Sequence, residues 1–210
     1  MESLENLLVD RENGLIKLLT PPFNNEEFEP GYIASYLPGM RENGGQYTHA
    51  AIWAIIAMAK LGLNEKVFEF YKMINPINHS KDEKGAEKYK VEPYVIAADV
   101  YSNKEMAGRG GWTWYTGSSS WMYMLQIEYI LGIKIKQGVL KIKPCFPKDW
   151  QNAKVQIKWK NAVYNIEYQK MESQSEEIEI EKNIKMIIDG KEVEDIPLKP
   201  EGIFNIKVIF

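Results

Sequence analysis

Residues 38–62 read PGMRENGGQYTHAAIWAIIAMAKLG, a charged, glycine-rich loop running without a break into an apolar segment. Ile52, Ile55, Ile56 and Ala59 recur at helical spacing with Trp53 at the edge of their stripe, which predicts a helix over 48–61. Leu61-Gly62 stops it, since glycine suits the left-handed backbone just past a helix C-terminus. The same plan recurs at 108–132, GRGGWTWYTGSSSWMYMLQIEYILG, where a glycine- and aromatic-rich loop enters a second apolar helix stopped by Leu131-Gly132.

A helix start leaves about four backbone N–H groups unpaired and carries roughly half a positive charge, so anions settle there. Thr48 and His49 fall at the N-cap and first turn of the first helix, and Thr116, Gly117 and Ser118 at those of the second. Hydroxyls, an imidazole and glycines that admit an oxyanion to the backbone suit phosphate. Taken singly, Thr48 and Thr116 also read as ordinary caps. The pairing of two such loops, with Arg41, Glu42, Arg109 and several aromatics beside them, favours a binding site.

Outward from these loops, Leu4, Leu7 and Leu8 predict a helix over 2–11, ended by Asn13-Gly14. The proline-rich stretch 15–39 reads as a long ordered loop. A helix over 64–74, with Val67, Phe70, Tyr71 and Ile74 on one face, makes a hairpin with 48–61. A polar connection follows, in which His79 reads as a loop histidine, not a ligand. The run YVIAADVYS, residues 94–102, suits a helix with Pro93 in its first turn, completing a second hairpin. Within that helix Asp99 reads as a surface or capping residue, as do Asp82 and Asp149 in their loops. Helical hairpins with loops on one side suggest an α/α barrel or toroid.

After Gly132 the period changes to two. IKIKQGVLKIKP (133–144), AKVQIKWKNAVYNIEYQK (153–170), EEIEIEKNIKMIIDGKEVEDIPL (176–198) and IFNIKVIF (203–210) read as strands, with turns at Gln137-Gly138, Lys160-Asn161 and Asp189-Gly190. The expected fold is therefore α+β and multidomain: part of an α/α barrel over 1–133, then an all-β sandwich, jelly-roll-like, over 134–210.

A chain of 210 residues with net charge −3 and no basic stripe argues against a nucleic-acid surface. The single Cys145 excludes an internal disulfide framework and fits a reducing, cytoplasmic setting; it reads as a small buried hydrophobe. No apolar run approaches the ~18 residues of a membrane span. The acidic, amphipathic start MESLENLLVDRENG is not a signal peptide.

Several strings resemble the inverting glycoside phosphorylases, the family that includes cellobiose and chitobiose phosphorylases. They are GLIKLLTPPF, PGYI, PGMRENGGQYTHAAIWA, NPINH, YKVEPYVIAADVYS, GRGGWTWYTGSSSWMY and KPCFPKDW, which cover most of residues 1–165. The likeness is strongest to the branch that handles β-1,2-glucan, cyclic β-1,2-glucan synthase and 1,2-β-oligoglucan phosphorylase. It implies an (α/α)6 barrel followed by a β-sandwich, and cleavage of a β-glucosidic bond by inorganic phosphate to give α-glucose 1-phosphate with inversion. On that resemblance His49, Thr116 and Gly117 are expected to bind phosphate, and Glu42, with Arg41 beside it, to bind the sugar. Neither metal nor cofactor is implied, phosphate being a co-substrate. Where disaccharide phosphorylases carry an aromatic and a glutamine after EPYV, this chain has Ile96, Ala97 and Ala98, which favours a β-1,2-glucan oligosaccharide.

The family's general acid, an aspartic acid, lies upstream of the first motif, so no residue here is expected to be catalytic. The expectation is a C-terminal part of a phosphorylase that lacks the N-terminal half of its barrel; such a half leaves helix faces uncovered, predicting instability or self-association. Two other readings stay open: a non-catalytic carbohydrate-binding remnant, and an α/α-barrel hydrolase with Glu42 activating water.

Overall fold

The computed structural model describes residues 1–24, 30–171 and 184–210, which divide into two units, Met1–Leu125 and Gln126–Phe210. In the first unit a short helix, α1 (Glu2–Leu7), leads into the two-stranded ladder of β1 (Val9–Asp10) and β2 (Leu15–Ile16). Asp10 closes the turn between them by accepting hydrogen bonds from the backbone and side-chain nitrogens of Asn13. The stretch expected as one long loop contains β2 and a 3-10 turn at Gly31–Ser35.

β3 (Gln46–Tyr47) runs directly into α2 (Thr48–Lys60), which packs against α3 (Asn64–Ile74). This is the predicted hairpin. Ile52, Ile55, Ile56 and Met58 of α2 and Val67, Phe70 and Ile74 of α3 are all buried. Each such side chain contributes about 1.5–3 kcal/mol of hydrophobic stabilisation. Gly62, at φ 72°, turns the chain between the helices as expected.

The polar connection after α3 is more ordered than its composition suggested. Asn75 caps α4 (Pro76–His79) by accepting from the Ile77 N–H, and Asp82 caps α5 (Glu83–Tyr89) by accepting from the Gly85 N–H. His79 stacks on Tyr89, with ring centroids 4.7 Å apart.

The main correction concerns residues 94–102. They are not helical: a turn, closed by the Val95 N–H on the Glu92 carbonyl, leads into a stretch that contains β4 (Asp99–Val100), so no second helical hairpin forms. Ala97 and Val100 of this region bury with Leu15 and Tyr89 in a cluster that Val91 flanks. α6 (Ser118–Met124) closes the unit and continues into a π-helical stretch, Leu125–Ile130.

In the second unit β5 (Ile133–Lys136) and β6 (Val139–Ile142) form a hairpin through Gln137-Gly138, both at positive φ. With β11 (Ile196–Pro197) they make a three-stranded sheet. β7 (Asn152–Trp159), β8 (Asn161–Gln169), β9 (Lys185–Ile188), β10 (Lys191–Val193) and β12 (Glu201–Ile209) form a five-stranded sheet in the order β10-β9-β12-β8-β7. β12 and β8 run parallel, and Ala162, Tyr164, Ile166 and Tyr168 alternate inward as the period of two predicts. Asp189-Gly190 turns β9 into β10. The segment of 176–198 read as a strand before residue 184 lies outside the described residues, as does 25–29 of the loop. Cys145 is buried. Among the described residues no helix is long and apolar enough to cross a membrane.

Candidate active site

The first glycine-rich loop is built around Asn43, a side chain only 1% exposed. Its Oδ1 accepts from the Phe23 N–H at 2.7 Å, and its Nδ2 donates to the carbonyls of Phe23 (3.0 Å) and Tyr36 (2.8 Å). The Gly39 N–H donates to the Asn43 carbonyl and the Asn43 N–H to the Met40 carbonyl, so Arg41 and Glu42 occupy the tip of a tight turn. Arg41 sits there at φ 47°, a left-handed conformation uncommon outside glycine, asparagine and aspartate.

The two glycine-rich loops meet through the extended segment that separates them. On one side β3 pairs antiparallel with β4, Tyr47 opposite Asp99, and the Thr48 N–H donates to the Ala98 carbonyl. On the other side the Ala98 N–H donates to the Trp112 carbonyl, the Gly111 N–H to the Asp99 carbonyl, and the Tyr101 N–H to the Arg109 carbonyl. A helix at 94–102 could not have offered both edges. Thr48 is not the cap of α2. Tyr47 takes that position, and the buried Thr48 hydroxyl accepts from Gln46 Nε2 at 3.4 Å.

Asp99 is the side chain whose role changes most from the sequence reading. It is fully buried, and its Oδ1 accepts from the Trp112 N–H at 3.0 Å and from Arg41 Nη1 at 3.3 Å. Burial pushes its carboxyl above the usual carboxylate range, more than the Trp112 N–H and Arg41 pull it back. Burial opposes the Arg41 charge as well, but the attraction of Asp99 and its other partners outweighs that and raises its pKa. Arg41 Nε lies 3.7 Å from Glu42 Oε2, and its guanidinium lies over the Tyr36 ring at 5.5 Å. Tyr47, facing this cluster, is raised by burial and then by the Glu42 carboxylate. Glu42 Oε2 and Asp99 Oδ2 are both buried without a hydrogen-bond partner.

Glycine in the second loop has two different explanations. A Cβ on Gly111 would stand 2.6 Å from both carboxylate oxygens of Asp99, so the oxyanion that this backbone admits is an internal one. Gly117 has an ordinary helical conformation, φ −72°, and no other group lies within 4 Å of where its Cβ would be. The fold makes no demand for glycine there. Beside it, Thr116 Oγ1 accepts from the Ser118 N–H at 3.1 Å and donates to the Ser118 hydroxyl at 2.9 Å, a local threonine turn and not the expected cap, since Gly117 holds the N-cap position of α6.

The structure groups Arg41, Glu42, Tyr47 and Asp99 in one cluster. His49 lies on the first turn of α2 between Tyr47 and Trp53, with ring centroids 4.6 and 4.8 Å away. Trp53 in turn meets Trp121 of α6 edge-on at 5.3 Å. Trp112, Trp114 and Tyr115 of the second loop are exposed, Tyr115 at 88%. Sequence reasoning missed Asp99 and Asn43. Neither carries a local signal, because their partners lie far along the chain. Among the described residues no group of three His, Cys, Asp or Glu side chains is disposed to hold a metal ion.

The two loops together hold buried carboxylate oxygens, a guanidinium, an imidazole and exposed indoles. The family follows from comparison: residues 1–132 match the model of the glycosyl hydrolase 94 superfamily, catalytic domain, and the chain belongs to that family. It is similar to the cyclic β-(1,2)-glucan synthase NdvB of Rhizobium meliloti, 43% identical over 166 residues, which is 79% of this chain and 6% of that protein. It is also similar to the N,N'-diacetylchitobiose phosphorylase of Vibrio furnissii, 29% identical over 90% of this chain and 23% of that protein. The solabiose phosphorylase of Paenibacillus borealis is 25% identical over 83% of this chain and 22% of its own length. The chain thus spans a quarter or less of these relatives.

Proposed function

We propose that this chain is the C-terminal part of a glycoside phosphorylase that cleaves β-glucosidic bonds, of the β-1,2-glucan type, with inorganic phosphate. A phosphate oxygen attacks the anomeric carbon from the face opposite the leaving group, and the glycosidic C–O bond breaks. An aspartic acid outside the residues present here protonates the departing oxygen, giving α-glucose 1-phosphate and a shortened acceptor with inversion. Phosphate is already anionic, so it has to be placed rather than deprotonated. His49, Thr116 and the Gly117 amide supply the donors for it, while Glu42 and Arg41 serve the sugar. In this reading residues 1–133 belong to an (α/α)6 barrel and 134–210 to a β-sandwich domain.

The observation that carries the proposal is Gly117, a glycine at a position where the surrounding protein leaves room for any small side chain. Its use is explained if an anion must approach the backbone N–H. The similarity to cyclic β-(1,2)-glucan synthase over 79% of the chain supports the linkage.

The test is to combine the chain with the upstream region of a family member, add β-1,2-gluco-oligosaccharide and phosphate, and assay glucose 1-phosphate. Formation that depends on phosphate and is abolished by His49→Ala is expected. Release of free glucose without phosphate, indifferent to His49→Ala, would identify a hydrolase and overturn the proposal.

A further inference from the structure

We infer that Asp99 is a positioning residue. Through one carboxylate oxygen it ties the loop carrying Arg41 and Glu42 to the loop carrying Trp112, and so sets the spacing between the sugar side and the phosphate side of the site. The inference rests on the site reading proposed above.

Asp99 touches nothing outside the protein, since it is fully buried, and therefore cannot contact a substrate itself. Its Oδ1 receives the Trp112 N–H at 3.0 Å from one loop and Arg41 Nη1 at 3.3 Å from the other. Both partners are held for this meeting. The Arg41 backbone adopts φ 47° at the tip of its turn, and its head is bounded by Glu42 and the Tyr36 ring as well as by Asp99. On the Trp112 side Gly111 is the residue that lets the loop lie against the carboxylate, because any Cβ would enter it at 2.6 Å.

The arrangement is not what stability alone would select. Oδ2 of Asp99 is buried without a hydrogen-bond partner, and burial disfavours the ionised form. An amide of the same shape would at least remove the buried charge, at the cost of an NH2 group in the same partnerless place. What an amide cannot do is hold a guanidinium by charge, and a charged hydrogen bond is roughly twice as strong as a neutral one. The carboxylate therefore serves Arg41, and through Arg41 the neighbouring Glu42.

The experiment uses the full 210-residue chain, labelled with nitrogen-15, as parent, Asp99→Asn, Arg41→Gln and the double variant. Without any ligand, the Arg41 Nε–H resonance is expected to be sharp in the parent and to broaden in Asp99→Asn, while the Trp112 amide moves upfield. Both signals unchanged would overturn the tie. Should Asp99→Asn fail to fold, Arg41→Gln carries the test: Trp112 must shift when its shared acceptor loses the guanidinium, and an unmoved Trp112 overturns the tie equally. With ligand, affinity for the β-1,2-linked glucose disaccharide in the presence of inorganic phosphate is expected to fall about tenfold in each single variant and no further in the double, the non-additivity expected of coupled residues. Additive losses would show that Asp99 does not act through Arg41. If the parent binds neither phosphate nor the disaccharide, the site reading fails, and the ligand-free resonances still decide whether Asp99 joins the loops.

Discussion

Arg41 Nη1 stands 3.3 Å from Oδ1 of Asp99, a pair that joins residues 58 positions apart and brings a turn tip onto a buried strand. The two ends are not equivalent. The Arg41 side chain is 26% exposed and can be solvated if released, whereas Asp99 cannot.

That asymmetry sets the first prediction. Asp99→Asn keeps the shape and exchanges a charge that burial opposes for an unpartnered amide NH2, so its Tm at pH 7 should stay near the parent's. Arg41→Ala leaves the carboxylate without its counter-charge and should cost about 1–3 kcal/mol in chemical denaturation, a loss that Asp99→Asn should reverse. A Tm for Asp99→Asn lowered as far as that of Arg41→Ala would contradict this account.

The two glycines of the second loop should respond in opposite ways. Gly111→Ala forces a methyl group into the Asp99 carboxylate and should destabilise by about 1–3 kcal/mol. Gly117→Ala meets open space at a helical φ and should hold or raise Tm, while phosphate affinity measured by calorimetry falls. Unchanged phosphate binding in Gly117→Ala would remove the main support for the proposed anion site.

His79 supplies a pH dependence. Burial against Tyr89, and then nearby Lys88, lower its pKa to about 4, and its Nε2 is buried without a partner. Between that value and the ordinary one of about 6.5 the unfolded chain binds the proton and the folded chain resists it, so stability is complete above pH ~6.5 and falls as pH drops towards 4. The full effect is about 3 kcal/mol. Asp99 works in the opposite sense, because its raised pKa lets the folded state take up a proton first as pH falls. Thermal melts of the parent and His79→Gln from pH 7 to pH 4 should differ in slope, the variant losing less.

Asn43 bonds three backbone groups, the Phe23 N–H and the carbonyls of Phe23 and Tyr36, from within a buried turn. Asn43→Ala should therefore cost about 3 kcal/mol, and Asn43→Asp nearly as much because it removes both donors. Urea denaturation of the two variants would measure this. A loss under 1 kcal/mol in both would mean that the turn is held by other groups.

Local pattern determined much of this chain. The stripe of Ile52, Ile55 and Ile56, the stop at Gly62, the alternation after Ile133 and the turn at Asp189-Gly190 each depend on neighbours a few residues away, and each was legible for that reason. The family strings in both glycine-rich loops were legible in the same way. Residues 94–102 were not, because Val95, Ile96, Ala97, Ala98 and Val100 fit a buried helix and a buried strand equally well on periodicity. Only the tertiary structure decided between them, by offering the Thr48 N–H on one edge and the backbone of Gly111 and Trp112 on the other. With that choice Asp99 passed from an assumed surface position to the buried joint between the loops. A backbone segment takes the conformation in which its hydrogen-bonding groups find partners, and those partners here are contributed by residues tens of positions away.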